Sequence, residues 1–370
     1  MEEDLLGPER FVAACTLTRR AEASASSPKV SVLMITYNHE RFIKQAVESV
    51  LMQKTSFDFE LVIGEDCSRD RTREIVLEYA RRCPDRIRLL PSERNVGPYP
   101  NFSRSLEACE GQYVAVLEGD DYWISSHKLQ KQADFLDAHL ECSSCFHAIQ
   151  IVSGDGRTIR IHPAFPERDS FALEDILSFN FVPTCSVMFR KDCARERPEW
   201  LGELKMGDWP LHILIAQYGR IGFMNEVMGV YRDHGGGLWR LTSKIDWIRE
   251  FIRMLEMFNA HVQFRHDRII RRAILAWRLR LLLALAQQGN VIEARNWFKV
   301  WTAERPQDRI PMAWRLAAWA GLSFPALYRL ILSREVLVRC ARRMLILCGI
   351  YRRPSAFTRI ITFGAEPGGD

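Results

Sequence analysis

The chain has no uninterrupted apolar stretch of ~18 residues, the length a membrane-spanning helix needs. Its nearest approach, Leu316 to Tyr328, is short and is closed by Arg315 and Arg329. The opening residues, MEEDLLGPERF, are acidic and lack the basic start and apolar run of a secretory signal, so none is expected. No internal repeat or low-complexity tract occurs, which leaves out solenoids and arrays. Paired metal motifs are missing too. Cys142-Ser-Ser-Cys145, with His147 close by, has the spacing of half a zinc site, but no second CxxC or HxxxH follows. The 10 Cys are scattered, and a chain of this size needs no disulfide, so a reducing cytosol is the expected compartment. The positive charge comes without any nucleic-acid recognition motif, and no nucleic-acid partner is expected.

What is present is the composition of a folded protein of more than one module. Of its 370 residues 47% are hydrophobic and 26% charged, with 10 Trp and 20 Phe to fill a core. The net charge of +5 conceals an asymmetry. Residues 244–370 hold 22 Lys/Arg against 10 Asp/Glu, a net of +12, whereas the preceding residues hold 29 against 36, a net of −7. An acidic body and a basic tail imply two regions with different partners.

From Lys29 a rhythm of strands and helices sets in. Val30–Thr36, Phe59–Ile63, Ile87–Leu90 and Tyr113–Leu117 have strand character. Between and after them, Glu40–Gln53, Thr72–Arg82, Asn101–Cys109 and Lys128–His139 have helical spacing. This alternation predicts an α/β fold with a mainly parallel sheet covered on both faces, whose ligands gather at the carboxyl ends of the strands. The fourth strand runs straight into Glu118-Gly119-Asp120-Asp121. Like charges this close raise each other's pKa, and a divalent cation such as Mg²⁺ or Mn²⁺ gives a reason to keep them together. The alternative is an acidic turn capping the helix that starts near His127. Polar sets follow the other strands as well: Thr36-Tyr37-Asn38, then Glu65-Asp66 through Asp70, then Glu93 through Gly97. Ser68 or Asp70 would also serve as a helix cap, but four such sets on one edge favour a site.

In this order VSVLMITYNHERFIKQAVESVLMQ, VIGEDCSRDRT, ERNVG and VLEGDDYW closely resemble the family 2 glycosyltransferases of GT-A fold, of the type that builds bacterial surface glycans. The resemblance covers about residues 29–239. It implies inverting transfer of a sugar, of hexosyl type, from a nucleotide-sugar donor to a glycan or lipid-linked acceptor, with a divalent metal on the diphosphate. Glu118-Gly119-Asp120 occupies the family's DXD position, with Glu in place of the first Asp. Glu65-Asp66 stands where the family usually shows two aspartates. The reading that follows gives Thr36, Tyr37, Asn38, Glu65, Asp66, Asn95 and Gly97 to the nucleotide. Glu118 would serve ribose and metal, and Asp120 the metal.

The second half carries fewer signals. Cys145–Val152, Thr158–His162 and Val187–Arg190 read as strands, and Ser170–Phe179 as a short helix opened by Ser170. Pro183-Thr184-Cys185-Ser186 precedes a strand and is a weaker candidate for lining the cleft. Asp208, just ahead of helix Pro210–Gln217, would make a good N-cap. An inverting displacement also needs a carboxylate to take the acceptor's proton, and the resemblance puts that acid before a helix here. Asp208 is the expected base, with Glu203 the alternative. After the strand ending near Arg232, His234 precedes three glycines. The resemblance makes His234 a candidate metal or phosphate ligand, and Arg232 a partner for the leaving diphosphate.

From Ser243 onward helices replace strands: Ile269–Gln288, Val291–Trp301, Ile310–Ala320 and Pro325–Gly349. The interleaved Arg and apolar residues of the last two predict peripheral contact with the inner face of the cytoplasmic membrane, the alternative being a bundle with a solvated basic face. The expected division is a mobile tail at 1–28, a catalytic domain at 29–240 and a basic helical module at 241–370. Two other functions compete. A sugar-phosphate nucleotidylyltransferase needs a glycine-rich loop after strand one, and Thr36 to Arg41 contains no glycine. A non-catalytic glycan-assembly scaffold would have lost its acids, which are all here.

Overall fold

The structure, a computed structural model, describes residues 27–154, 156–163, 168–234 and 242–304. The chain divides into two compact units between Gly235 and Gly236. In the first unit β1 (Val30–Thr36) leads to α1 (Ile43–Leu51), β2 (Phe59–Glu65) to α2 (Thr72–Arg82), and β3 (Ile87–Pro91) to α3 (Pro98–Ala108). Then come β4 (Tyr113–Glu118), the short β5 (Tyr122–Trp123) and α4 (Lys128–Ala138). The rest comprises β6 (Cys142–Ser153), β7 (Thr158–His162), β8 (Ser170–Phe171), α5 (Leu173–Ser178), β9 (Met188–Arg190), α6 (Asp208–Ile215) and β10 (Arg220–Asp233).

All ten strands among the described residues join one sheet, ordered β3-β2-β1-β4-β9-β6-β10-β5, with β7 on β6 and β8 on β10. Strands β3, β2, β1 and β4 are parallel; β9 runs antiparallel between β4 and β6. Parallel strands covered on both faces read as continuous apolar runs, and β1 and β4 do so: Val30, Val32, Leu33, Met34, Val114, Ala115 and Leu117 are buried. The register sets Thr36 beside Glu65, and Ile35 beside Glu118. Three polar strand ends therefore meet on one edge.

Two local expectations give way. Ser170 opens no helix: Ser170–Phe171 pairs with β10 at Gly222 and Ile221, and the helix begins at Leu173 with Asp175 Oδ2 accepting Ala172 N at 2.9 Å. Asp208 is not an N-cap either. Helix α6 starts at Asp208 itself, behind Gly207, and no side chain caps it. Its carboxylate is thereby left for other partners.

The second unit is helical through its described residues. Helix α7 (Lys244–His261) is opened by Ser243, whose hydroxyl accepts Asp246 N at 3.1 Å. Helices α8 (Asp267–Gln287) and α9 (Val291–Glu304) follow, and α7 and α8 bury Ile248, Phe251, Leu255, Phe258, Ile270 and Leu281. The expected helices Ile310–Ala320 and Pro325–Gly349, and the tail at 1–26, lie outside the described residues. No described helix is long and apolar enough to cross a membrane.

One core residue is out of place by charge. Lys128, the first residue of α4, is fully buried; its Nζ lies 3.8 Å from the Trp123 ring centroid and has no hydrogen-bond partner among the described residues. Burial lowers its pKa from 10.5 to about 7, and the adjacent helix N-terminus also disfavours a cation. The folded protein therefore binds this proton less tightly than the unfolded chain. The cost of a buried ammonium is complete below pH 7 and vanishes as pH rises toward 10.5. Above pH 9 the buried thiols Cys109 and Cys145, raised to about 12 by burial, act in the opposite sense. Stability should thus rise from pH 7 to 9. Lys128→Met should raise stability at pH 7 by up to about 4 kcal/mol and flatten that slope, as read by urea unfolding. An unchanged slope would show that Lys128 is not its source.

Candidate active site

The turn after β4 carries the site. Gly119 donates its N–H to Ile35 O at 3.0 Å, and a Cβ there would lie 2.6 Å from Thr36 Oγ1 and 2.9 Å from His39 Nδ1. Only glycine lets the turn close on β1. It places Glu118, Asp120 and Asp121 so that one oxygen from each lies within 4.8 Å of the others. Asp121 is buried; its Oδ1 accepts Arg232 N at 2.9 Å, while Oδ2 has no hydrogen-bond partner among the described residues. Burial, then Asp120, Asp121 and Asp208, push the Glu118 carboxyl well above the ordinary carboxylate range. Burial and the charge of Asp120 do the same to Asp121.

Asp120 behaves differently. Burial opposes its ionisation, but the hydrogen bond with His234 and the charge of His39 hold it below its ordinary value. His234 Nε2 lies 3.1 Å from Asp120 Oδ2, and His39 Nε2 3.7 Å from it. His234 gets there through β5, which pairs with β10 at Tyr122–Val230 and Trp123–Gly229. The same pairing delivers Arg232, whose guanidinium bonds Asp120 O and Gln45 Oε1 and lies over the rings of Tyr122, 4.2 Å, and Phe42, 5.1 Å.

On the neighbouring strand ends the residues are tied to one another. Glu65 is fully buried, with Arg73 Nε 2.5 Å from Oε2 and Ser68 N donating to Oε1 at 2.6 Å. One oxygen serves the loop and the other Arg73 of α2, so it offers no free carboxylate. Asp66 accepts Val96 N and Gly97 N at 2.8 and 2.9 Å, drawing the loop after β3 over the end of β2. Gly97, at φ 90°, makes that bend, and exposed Asn95 also accepts its N–H at 3.1 Å. Asn38, left-handed at φ 55°, accepts Arg69 N at 2.8 Å and donates its own N–H to Ser68 Oγ at 3.0 Å. Asp70 accepts both Thr72 N and Glu40 N at 3.0 Å. Tyr37 is half-buried beside buried Thr36. All the predicted strand-end residues, Thr36, Tyr37, Asn38, Glu65, Asp66, Asn95 and Gly97, share this edge, Glu65 with its carboxylate already engaged.

Asp208 comes to the site from α6. It is half-buried, its Oδ2 accepts Asn180 Nδ2 at 3.0 Å, and its charge adds to the repulsion felt by Glu118. Behind it Trp209 donates to Ile176 O at 2.7 Å, and buried His212, lowered to about 4 by burial, stays neutral. Glu203 is exposed at the end of the short 3₁₀ turn Glu199–Glu203. The sequence reading passed over His39 and Asn180. His39 stood inside a polar set already singled out; Asn180, 28 positions before Asp208, carried no signal.

Residues 31–195 match the family model of glycosyl transferase family 2. That segment, a little under half of the chain, is thus similar to the family 2 glycosyltransferases, and the fold around it is of the GT-A kind. An uncharacterized protein of Mycobacterium tuberculosis is 36% identical over 210 residues, 57% of this chain and 60% of that one. The chain thus spans less than two thirds of that relative's length. The putative teichuronic acid biosynthesis glycosyltransferase TuaG of Bacillus subtilis is 28% identical over 248 residues, 63% of this chain and 92% of TuaG. Among solved structures, Staphylococcus aureus TarS 1–349 in complex with UDP-GlcNAc superposes with a TM-score of 0.58 at 21% identity, over 88% of this chain and 93% of that one. At that identity the likeness speaks for the fold.

The donor set of the turn fits a hard divalent cation. It is all carboxylate oxygen, two of its acids are pressed toward the neutral form, and Asp121 Oδ2 has no strong donor. The histidines report on the same charge. Its hydrogen bond to Asp120 raises His234 above 6.5, while burial depresses His39 in spite of Asp120. In metal-free Asp120→Ala, His234 should titrate lower than in the parent and His39 should fall further below 6.5, as read from imidazole NMR shifts. An unmoved His234 would mean that Asp120 does not set its charge.

Proposed function

We propose that the protein is a metal-dependent, inverting glycosyltransferase that moves a sugar from a nucleotide-sugar donor to a hydroxyl of a glycan or lipid-linked acceptor. The observation that carries this reading is the meeting of three carboxylates at the end of β4 with a fourth, Asp208, near enough to load Glu118. TuaG, by its name, and TarS, by its bound UDP-GlcNAc, support surface polysaccharide synthesis and a nucleotide-sugar donor. A lipid-linked acceptor would draw the protein to the inner face of the cytoplasmic membrane.

Asp120, with Glu118 and Asp121, would hold Mg²⁺ or Mn²⁺, and His234 stands beside them. When bound, that cation offsets charge on the departing diphosphate. Thr36, Tyr37, Asn38, Asp66 and Asn95 form the edge on which base and ribose would lie. Arg232, fixed between two rings, keeps a planar cation next to the carboxylates and opposes their repulsion. Asp208 accepts the proton of the attacking hydroxyl, and Asn180 holds that carboxylate in position through Oδ2. Because no backbone N–H of α6 is capped by Asp208, its Oδ1 remains available to a substrate.

Asp208→Asn should bind donor as the parent does yet transfer sugar more slowly by ~10²–10⁴, the scale of general-base catalysis. Since Asp208 caps nothing, the melting temperature should hold. Turnover near the parent's in a chemistry-limited assay would move the base to Glu203. Asp120→Ala should abolish Mn²⁺-dependent binding of a nucleoside diphosphate in calorimetry, and unchanged binding would remove the metal assignment.

A further inference from the structure

The turn joining α7 to α8 is built in a conformation that its residues resist. Gln263 and Phe264 both lie in the left-handed region, at φ 51° and 60°, which side chains of their kind seldom adopt. The turn is nevertheless well bonded: Gln263 N donates to Ala260 O, Phe264 N to Asn259 O and Asp267 N to Phe264 O, at 2.9, 2.9 and 3.1 Å. Its outcome is an aromatic ring pushed into solvent. Phe264 is 58% exposed, whereas Trp247, Phe251, Phe258 and Trp277 of the same two helices are buried.

Three exposed cations follow Phe264 in the chain. Arg265, Arg268 and Arg272 are exposed, Arg268 and Arg272 one helical turn apart, while Ile270, Ala273, Ile274 and Trp277 of α8 face inward. None of these three guanidiniums has an ion-pair or hydrogen-bond partner among the described residues. Asp267, the one acid between 263 and 272, is committed to Asn259 Nδ2 at 2.8 Å and Arg271 Nε at 2.6 Å. A single exposed aromatic is ordinary on a protein surface. One held exposed on a left-handed turn and followed by three exposed arginines without acidic partners is the chemistry of an interfacial anchor.

We propose that this turn docks the protein on an anionic phospholipid surface, with Phe264 in the headgroup layer and Arg265, Arg268 and Arg272 paired to lipid phosphates. It rests on the membrane contact proposed above and assigns that contact to residues 263–272. Exposed arginines with no acid of their own to pair suit an anionic bilayer, and the +12 charge of residues 244–370 acts in the same direction.

Sedimentation of the full chain with phosphatidylcholine vesicles, with and without phosphatidylglycerol, tests this. The parent should bind only the anionic vesicles, and added salt should release it. The triple variant R265Q/R268Q/R272Q should lose roughly 10²-fold in partition coefficient, and Phe264→Ser about tenfold. R265K/R268K/R272K, which keeps the charge, should stay near the parent, and this separates lost charge from a damaged fold. A parent that ignores anionic vesicles overturns the membrane contact and this proposal together. A parent that binds while the Gln and Ser variants bind equally well overturns the assignment to this turn alone. Equal binding to both kinds of vesicle, or a Lys variant as weak as the Gln variant, overturns the role of the arginines' charge.

Discussion

Three carboxylates at the inner end of a buried strand repel one another, and the surroundings of β4 are arranged around that repulsion. Glu118 and Asp121 are driven toward the neutral form by burial and by the charge of Asp120. Asp120 stays ionised because His234 and His39 stand against it. Gly119 lets the turn press on Thr36, and the pairing of β5 with β10 carries Arg232 and His234 to the acids from more than 100 positions away. A cluster held so, with one anion balanced and two frustrated, is poised for a further positive charge. That is the property a diphosphate-bearing site needs from its protein.

The neighbouring strand ends apply a different logic. There the acids are satisfied by backbone N–H groups and, for Glu65, also by the Arg73 guanidinium. Glu65 holds Ser68 and Arg73, Asp66 holds Val96 and Gly97, and Asp70 spans from Thr72 to Glu40. These bonds knit the loops after β1, β2 and β3 into one rim before any ligand arrives, which lowers the ordering entropy left for binding. Two kinds of carboxylate thus share one sheet edge: those that build the rim, and those after β4 that are left short of donors.

Most of this edge could be read in the sequence because parallel strands buried on both faces leave strong local marks. Val30–Thr36 and Thr72–Arg82 come out with the expected bounds. The GT-A likeness also followed from motifs lying close together in the chain. Legibility declines where placement depends on long-range pairing. Nothing in Ser170–Phe171 announces that it will pair with β10 and not begin a helix, and β9 gives no sign that it inserts antiparallel between β4 and β6. Asp208 looks like a cap by composition, yet the helix starts one residue too early for it to act as one. Glu65 and Asp66 are neighbours in sequence, but the first is turned inward to Arg73 and the second outward to the β3 loop, a difference set by strand alternation and tertiary contact.

The central claim is that the frustrated carboxylates after β4 exist to receive a divalent cation. Thermal unfolding with and without Mn²⁺, in the presence of a nucleoside diphosphate, tests it most directly, because a ligand that binds the native state stabilises it by mass action. The melting temperature should rise with Mn²⁺ in the parent and stay flat when Glu118→Gln and Asp121→Asn are combined. A parent whose melting temperature ignores Mn²⁺, or a double variant that responds as strongly as the parent, would contradict the account.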